Sequence, residues 1–362
     1  MSEYIVIGTI IAAFAVAAVL SYFFTPPVKN FAHKVGAIDV PKDARRMHKK
    51  PIPRLGGLAI YGGFLCSILI FGQLDETMLC VLLGAAIIVA LGIFDDVLAL
   101  GAKLKFVVQI VAAAIPVCIG DLQIGLFTNL NPLSDTPFVH LGILAVPVTI
   151  IWIVGITNAV NLIDGLDGLA VGVSSIAAIT MLAVALLTGN MPIAITMAAL
   201  AGACIGFMPY NLNPAKIFMG DTGSTFLGYI LATLSITGLF KMYAIISFAV
   251  PFLILGIPIF DISFAFLRRI AHGQNPMKAD RGHFHHRLID MGFSQKQAVA
   301  IAYMLTGILG LAAVLLTSSG ELKALILIAA IFIVSAIGFK LIFAKNDRSE
   351  DEPEEKQEEP HE

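Results

Sequence analysis

Residues 77–105 read TMLCVLLGAAIIVALGIFDDVLALGAKLK, and the first eighteen of them carry no charge. A run of that length approaches the ~20 residues that a helix needs to cross the hydrocarbon of a bilayer. It stops at Asp95-Asp96, with Lys103 and Lys105 following about two turns later, so it reads as a membrane helix whose polar end meets water. Working outward, comparable apolar runs occupy 4–24, 57–72, 105–119, 141–157, 169–188, 192–209, 223–240, 242–267, 298–317 and 323–344. The 362-residue chain is 58% hydrophobic and 13% charged, with a mean hydropathy of +0.89. That leaves too little polar surface to cover a globule in water. The expected fold is an all-α polytopic membrane protein: one bundle of about eleven transmembrane helices over residues 1–344, then an acidic cytoplasmic tail, 345–362, whose composition predicts disorder.

Short loops rich in Lys and Arg stay in the cytoplasm. With the N-terminus outside and the C-terminus inside, 21 of the 23 Lys and Arg fall on inner segments and only Lys241 and Lys323 fall outside. The first run has Glu3 and no base before it and is too long for a signal-peptide core, so it reads as a retained helix. Cys66, Cys80, Cys118 and Cys204 sit in apolar runs without paired spacing, as reduced structural thiols would. Gly, Asn and Pro punctuate 120–140, which suggests a small outer hairpin or re-entrant piece. The inner loops hold nearly all the acids, histidines and bases outside the tail, so the chemistry is expected on the cytoplasmic side.

Carboxylates at a membrane edge are costly to desolvate and persist mainly where they bind ions, protons or substrates. Asp95 and Asp96 point about 100° apart on a helix, so one can act as base or metal contact while the other fixes its neighbours; an interfacial cap is the plainer reading of the pair. In NAVNLIDGLDGLA (158–170), Asn161, Asp164 and Asp167 recur every three residues around Gly165 and Gly168, either on one helix face or on a turn that a ligand can approach. In YNLNPAKIFMGDTGS (210–224), glycines bracket Asp221 just before an apolar run. Asp221 suits a hard dication such as magnesium, which takes oxygen ligands, water and substrate phosphates, although Thr222 and Ser224 can equally cap the next helix. The basic stretch 268–288 holds Arg268, Arg269, His272, Lys278, Arg281, His283, His285, His286 and Arg287. Lipid anchoring accounts for its first two arginines but not for three histidines within four positions. The first inner loop, 35–57, adds Arg45, Arg46, His48, Lys49, Lys50 and Arg54, which can hold phosphate or anchor to lipid. Oxygen ligands for a hard cation, beside Lys, Arg and His for phosphates, describe a phosphoryl-transfer site.

The ordered set PIPRLGG, DD with a lysine seven residues on, NAVNLIDGLDGLA, FMGDTGS and GHFHHR resembles the polyprenyl-phosphate N-acetylhexosamine-1-phosphate transferases, over roughly residues 25 to 300. The resemblance implies transfer of a sugar-1-phosphate from a UDP-sugar to a polyprenyl phosphate such as undecaprenyl phosphate, with release of UMP and a need for magnesium, manganese being a substitute. It implies Asn161 and Asp221 as metal contacts and Asp95 as base toward the lipid phosphate, with Asp96 and Asp164 in support. It further implies Asp167, Asn211 and Phe218 as the nucleoside pocket, and Lys103, His285 and His286 as phosphate or sugar contacts, with His283, Arg287 and Arg54 as further substrate contacts. The run His283-Phe284-His285-His286-Arg287 departs from the three consecutive histidines of the pentapeptide translocases of peptidoglycan synthesis, which favours the N-acetylglucosamine branch. The partners expected are the UDP-sugar, the polyprenyl phosphate, the bilayer and, as a possible homodimer, a second copy, with no nucleic acid.

A cation-coupled transporter is the rival of a different class, and it predicts acids near mid-bilayer rather than at the inner ends of the runs. On the topology read here, cysteines introduced at Asn190 and Ser319 are expected to react with an impermeant maleimide on intact cells, and one at Ser349 only after permeabilisation. The reverse labelling pattern overturns the orientation.

Overall fold

The computed structural model describes residues 3–41, 50–128, 138–240, 246–271 and 283–319; the expected run 323–344 and the acidic tail lie outside them. The described chain is mostly helical: α1 (Glu3–Val35), α2 (Gly57–Phe71), α3 (Glu76–Leu98), α4 (Ala102–Cys118), α5 (Ala145–Leu162), α6 (Leu169–Leu187), α7 (Met191–Asn211), α8 (Gly220–Ser235), α9 (Ile246–Ile254), α10 (Gly256–Ala271), α11 (Phe284–Asp290) and α12 (Gln295–Ser319). By length and composition, 6 of the helices can cross a membrane. Two small antiparallel pairs complete it, β1 (Ile38–Asp39) with β2 (Ile52–Pro53), and β3 (Leu126–Thr128) with β4 (Phe138–His140). The second pair is the hairpin that the punctuation of 120–140 suggests.

The helices depart from the expected runs in three places, each for a local reason. First, α1 continues eleven residues beyond the run ending at 24, through Pro26 and Pro27, to a last turn holding His33 and Lys34. Two prolines forfeit intrahelical hydrogen bonds, but Ala17, Ser21, Thr25 and Ala32 are fully buried along this helix, and tertiary packing outweighs propensity. Second, the single run 242–267 is broken at Leu255 into α9 and α10. Pro258 cannot donate to the carbonyl four residues back, and Gly256 opens the new helix. Third, the basic stretch contains the short helix α11, where the sequence suggests only a loop.

The centre of the bundle is α8, every residue of which is buried except Asp221. Its polar side chains beyond Asp221 are hydroxyls that can bond within the bundle, and α2, α3, α5 and α6 surround it. Lipid tails are as apolar as leucine, so membrane helices associate through close packing and hydrogen bonds rather than through water exclusion. Here the backbones meet directly. A Cβ on Gly57 would lie 2.1 Å from the Gly223 nitrogen, and one on Gly92 would lie 2.4 Å from the Thr222 Cα. Buried polar groups add cross-links: the Trp152 indole donates to Ser235 Oγ at 3.1 Å, and the Tyr229 hydroxyl to the Ala112 carbonyl at 3.3 Å. The outward faces of α1, α3, α4 and α12 carry exposed Ile11, Phe94, Val107 and Met304, as a lipid-facing surface does.

Gly57→Ala is expected to lower thermal stability in detergent by about 1–3 kcal/mol, the usual cost of overpacking a filled interface. Gly155→Ala, whose Cβ meets nothing within 4 Å, should leave it unchanged or slightly higher. Equal melting curves for the two variants would show that the Gly57–Gly223 approach is not tight.

Candidate active site

The site is built on the N-terminus of α8, where the helix leaves its first amides without intrahelical partners. Those amides are met from α3. Asp221 N and Thr222 N donate to the two carboxylate oxygens of Asp96, each at 3.0 Å, and the Thr222 hydroxyl donates to Asp96 Oδ2 at 2.7 Å. Arg54 supplies the countercharge, its Nε 3.3 Å from Asp96 Oδ1. The turn before the helix needs Gly220 at φ 72°, and a Cβ there would lie 2.4 Å from Asp96 Oδ2. Asp96 is therefore the member of the acid pair that fixes its neighbours, and its oxygens are committed to the helix start.

Asp95, one residue earlier on α3, points to the other side. Its Oδ1 accepts from Leu100 N at 2.8 Å and its Oδ2 from Lys105 Nζ at 2.8 Å. Lys105 also reaches Asp221 Oδ2 at 3.1 Å, while Asn161 Nδ2 donates to Asp221 Oδ1 at 3.1 Å and to Ser224 Oγ at 2.8 Å. Four elements thus converge on Asp221. Lys103, the lysine implied by the resemblance, is exposed, so the structure brings Lys105 to the acids instead. The pair Asn158 and Gln109, joined at 2.6 Å, borders a small cleft on the Asp95 side.

On the other side of Asp221 opens a cavity of about 850 Å³, bordered by Arg54, Asn161, Asp164, Asp167, Asn211, Phe218, Asp221 and His286 among others. The loop between α5 and α6 contributes Asp164, which lies outside the helices. Burial of its carboxyl, reinforced by the charge of Asp221, pushes the Asp164 pKa up to about 8. Asp167 and Asn211 border the cavity while holding its walls. Asp167 Oδ2 accepts from Asn213 Nδ2 and Ala215 N, both at 3.0 Å. Asn211 accepts from Gly168 N at 3.2 Å and donates to the Ile217 carbonyl at 3.1 Å. Phe218 is tied by its backbone to Pro53 at 2.8 Å.

Of the histidine cluster, only His286 borders the cavity among the described residues. His285 is buried against Gly165, where a Cβ would lie 2.2 Å from its Nε2. Burial, with the neighbouring His286 charge adding, draws the His285 pKa down to about 3, so it is neutral at physiological pH. His283 is buried and bonded to Asp261, and Arg287 lies over the Phe264 ring at 4.7 Å; neither borders the cavity. Arg45, Arg46, His48, Lys49, His272, Lys278 and Arg281 lie outside the described residues. The structure adds Lys29 and His33 from the end of α1, Lys216, and Gln295 from the start of α12 as cavity neighbours. Helical continuation past Pro26-Pro27 is the step that brings the first two there.

The oxygen donors at the cavity floor suit a hard dication. Asn161 turns its amide nitrogen to Asp221 and Ser224, leaving its carbonyl oxygen uncommitted to them, and Asp164 is a carboxylate in a setting that disfavours its charge until a cation arrives. Among the described residues no three acidic, histidine or cysteine side chains form a closed metal cage. Magnesium needs none, since it keeps waters and substrate phosphates beside one or two carboxylates.

Lys105→Met is expected to reduce turnover by about 100-fold or more, the scale for removing a group that organises charge at a reacting centre. Lys103→Met should stay within about threefold, since exposed charges contribute little. The opposite ranking would mean that the ion-pair bridge is not part of the site.

Comparison with known proteins gives the family. Residues 78–239 match the model of "Glycosyl transferase family 4". The chain is 44% identical to the "Probable undecaprenyl-phosphate N-acetylglucosaminyl 1-phosphate transferase" of Bacillus subtilis, over 86% of each sequence. It is 35% identical to the "Decaprenyl-phosphate N-acetylglucosaminephosphotransferase" of Mycobacterium tuberculosis, over 82% of this chain and 80% of the relative. It is 29% identical to the "Phospho-N-acetylmuramoyl-pentapeptide-transferase" of Clostridium beijerinckii, over 84% and 94%. The chain belongs to glycosyl transferase family 4, the polyprenyl-phosphate N-acetylhexosamine-1-phosphate transferases.

Proposed function

We propose that this protein transfers N-acetylglucosamine-1-phosphate from UDP-N-acetylglucosamine to undecaprenyl phosphate at the cytoplasmic face of a bacterial membrane, releasing UMP and opening the synthesis of a cell-envelope glycopolymer such as teichoic acid. The observation that carries this reading is the closer match to relatives named for N-acetylglucosaminyl transfer than to one named for pentapeptide transfer, over nearly the whole chain. The acids favour it over a transporter, because Asp164, Asp167 and Asp221 border one cavity and Asp95 the adjoining cleft, rather than marking a path through the bundle.

In this reading an oxygen of the lipid phosphate attacks the phosphorus that bears the sugar, and the bond to UMP breaks. A phosphate monoester is largely ionised at neutral pH, so Asp95, held by Lys105 and the Leu100 amide, serves more to orient the nucleophile than to remove a proton. Asp221 and Asn161 would hold magnesium or manganese, with Asp164 in support, and the ion would neutralise the diphosphate and stabilise the leaving UMP. Arg54, near both Asp96 and Asp221, stands where it can meet a donor phosphate. Asp167 and Phe218 border the space assigned to the nucleoside, and His286 the space assigned to sugar or phosphate.

Purified protein with undecaprenyl phosphate and UDP-N-acetylglucosamine is expected to release UMP in a magnesium-dependent reaction. Its kcat/KM should exceed that for UDP-N-acetylmuramoyl-pentapeptide by about 100-fold or more, as a site built to hydrogen-bond one sugar can achieve. Better use of the pentapeptide nucleotide would overturn the branch. Because Asp164 titrates near 8 without the ion, it must lose a proton on binding. Magnesium affinity should therefore rise with pH up to about 8 and then level off, and Asp164→Asn should flatten that dependence.

A further inference from the structure

We infer that Asp261, on the buried face of α10, is a positioning residue that sets the histidine helix α11 against the reaction cavity. Asp261 is 2% exposed. One of its oxygens accepts from Phe284 N, the first amide of α11, at 2.6 Å, and the other meets His283 Nδ1 at 2.9 Å. A single carboxylate thus caps a helix of 7 residues, about two turns, and fixes the side chain at its Ncap. A helix this short is far below the ~12–15 residues at which isolated helices become even marginal in water, so its existence depends on such tethers.

Downstream of the tether, the helix directs two functional side chains. His283 and His285 stack with their rings parallel to within 7°, so fixing the first braces the second. His285 in turn fills the space over Gly165, on the loop that carries Asp164 and Asp167. His286 then faces the cavity. Asp261 touches neither the cavity nor a phosphate-facing group, and His283 spends Nδ1 on it, so the pair acts through geometry. The inference rests on the sugar-phosphate transfer reading, in which His286 contacts the donor.

The test pairs turnover with a measurement that needs none. Asp261→Ala is expected to lower kcat by about 10–100-fold, the range that roughly 1 Å of misplacement produces. Asp261→Asn, which can still accept from Phe284 N and pair with the His283 ring through its amide, should recover most of it. In a double-mutant cycle, Asp261→Ala should cost little further kcat in a His286→Ala background, since both remove one contact. Independently, carbethoxylation of His285 in the intact protein, followed by peptide mass spectrometry, should be slow in the natural protein and at least about fivefold faster in Asp261→Ala, because local opening sets the exposure of a buried group. Additive losses in the cycle, or His285 protected equally in both proteins, overturn the inference. Should Asp261→Ala not fold, His283→Ala against His283→Asn gives the same comparison. If the natural protein transfers no sugar phosphate, that defeats the proposed function, while the His285 modification rates still decide whether Asp261 holds the helix.

Discussion

The bond between the Asp96 carboxylate and the start of α8 is the constraint on which the rest of the site depends. A helix buried on every side cannot leave its first amides to water, and within a membrane protein each unsatisfied group costs several kcal/mol. Asp96 satisfies two backbone amides and one hydroxyl at once. That fixes α3 against α8 in register as well as distance. Once Asp96 is spent in this way, Asp95 is carried to the opposite side and Asp221 is held at the first turn with its carboxylate directed outward. Arg54 stands as the countercharge beside Asp96, and the same guanidinium lies 4.0 Å from Asp221.

Such an arrangement requires backbones in contact, and the glycines supply that contact. Gly57 on α2 and Gly92 on α3 meet the first turn of α8 where a methyl group would overlap main-chain atoms. The polar site therefore sits where helix backbones are in direct contact. Preorganisation follows, since the acids do not have to be gathered when substrate arrives.

Much of this was legible in the residues, and the rest was not for identifiable reasons. Apolar runs and their polar ends mark the helices because lipid admits little else. The clusters at Asp95-Asp96, Asn161–Asp167 and Asp221 do converge. Which lysine joins them was not readable: Lys103 and Lys105 stand two positions apart on α4, about 200° around the helix, and only the rotation of α4 against α3 decides which one faces the acids. The helical passage through Pro26-Pro27 runs against local propensity, so the approach of Lys29 and His33 to the cavity was hidden. Asp261 was equally hidden, because a lone acid in an apolar run shows no partner until α11 folds back on α10. Asn211, which the resemblance implies as a nucleoside contact, borders the cavity with both ends of its amide engaged by backbone, and so also braces two of its walls, which the sequence does not show.

The charges around the start of α8 carry one more step. Asp95, Asp96, Asp164 and Asp221 stand close to Arg54 and Lys105, four carboxylates against two cations, and the substrates proposed for the cavity bring phosphates of their own. Coulomb repulsion among partly buried charges a few ångströms apart runs to several kcal/mol at an effective dielectric near 20. The protein relieves part of it by leaving Asp164 mostly protonated at neutral pH. A dication beside Asp221 and Asn161 would relieve the rest, returning Asp164 to its charged form and turning a repulsive floor into one that draws a diphosphate in. In the proposed reading, such a dication would let a diphosphate approach these acids, while Lys29, Arg54 and Lys216 at the cavity border would meet the rest of its charge.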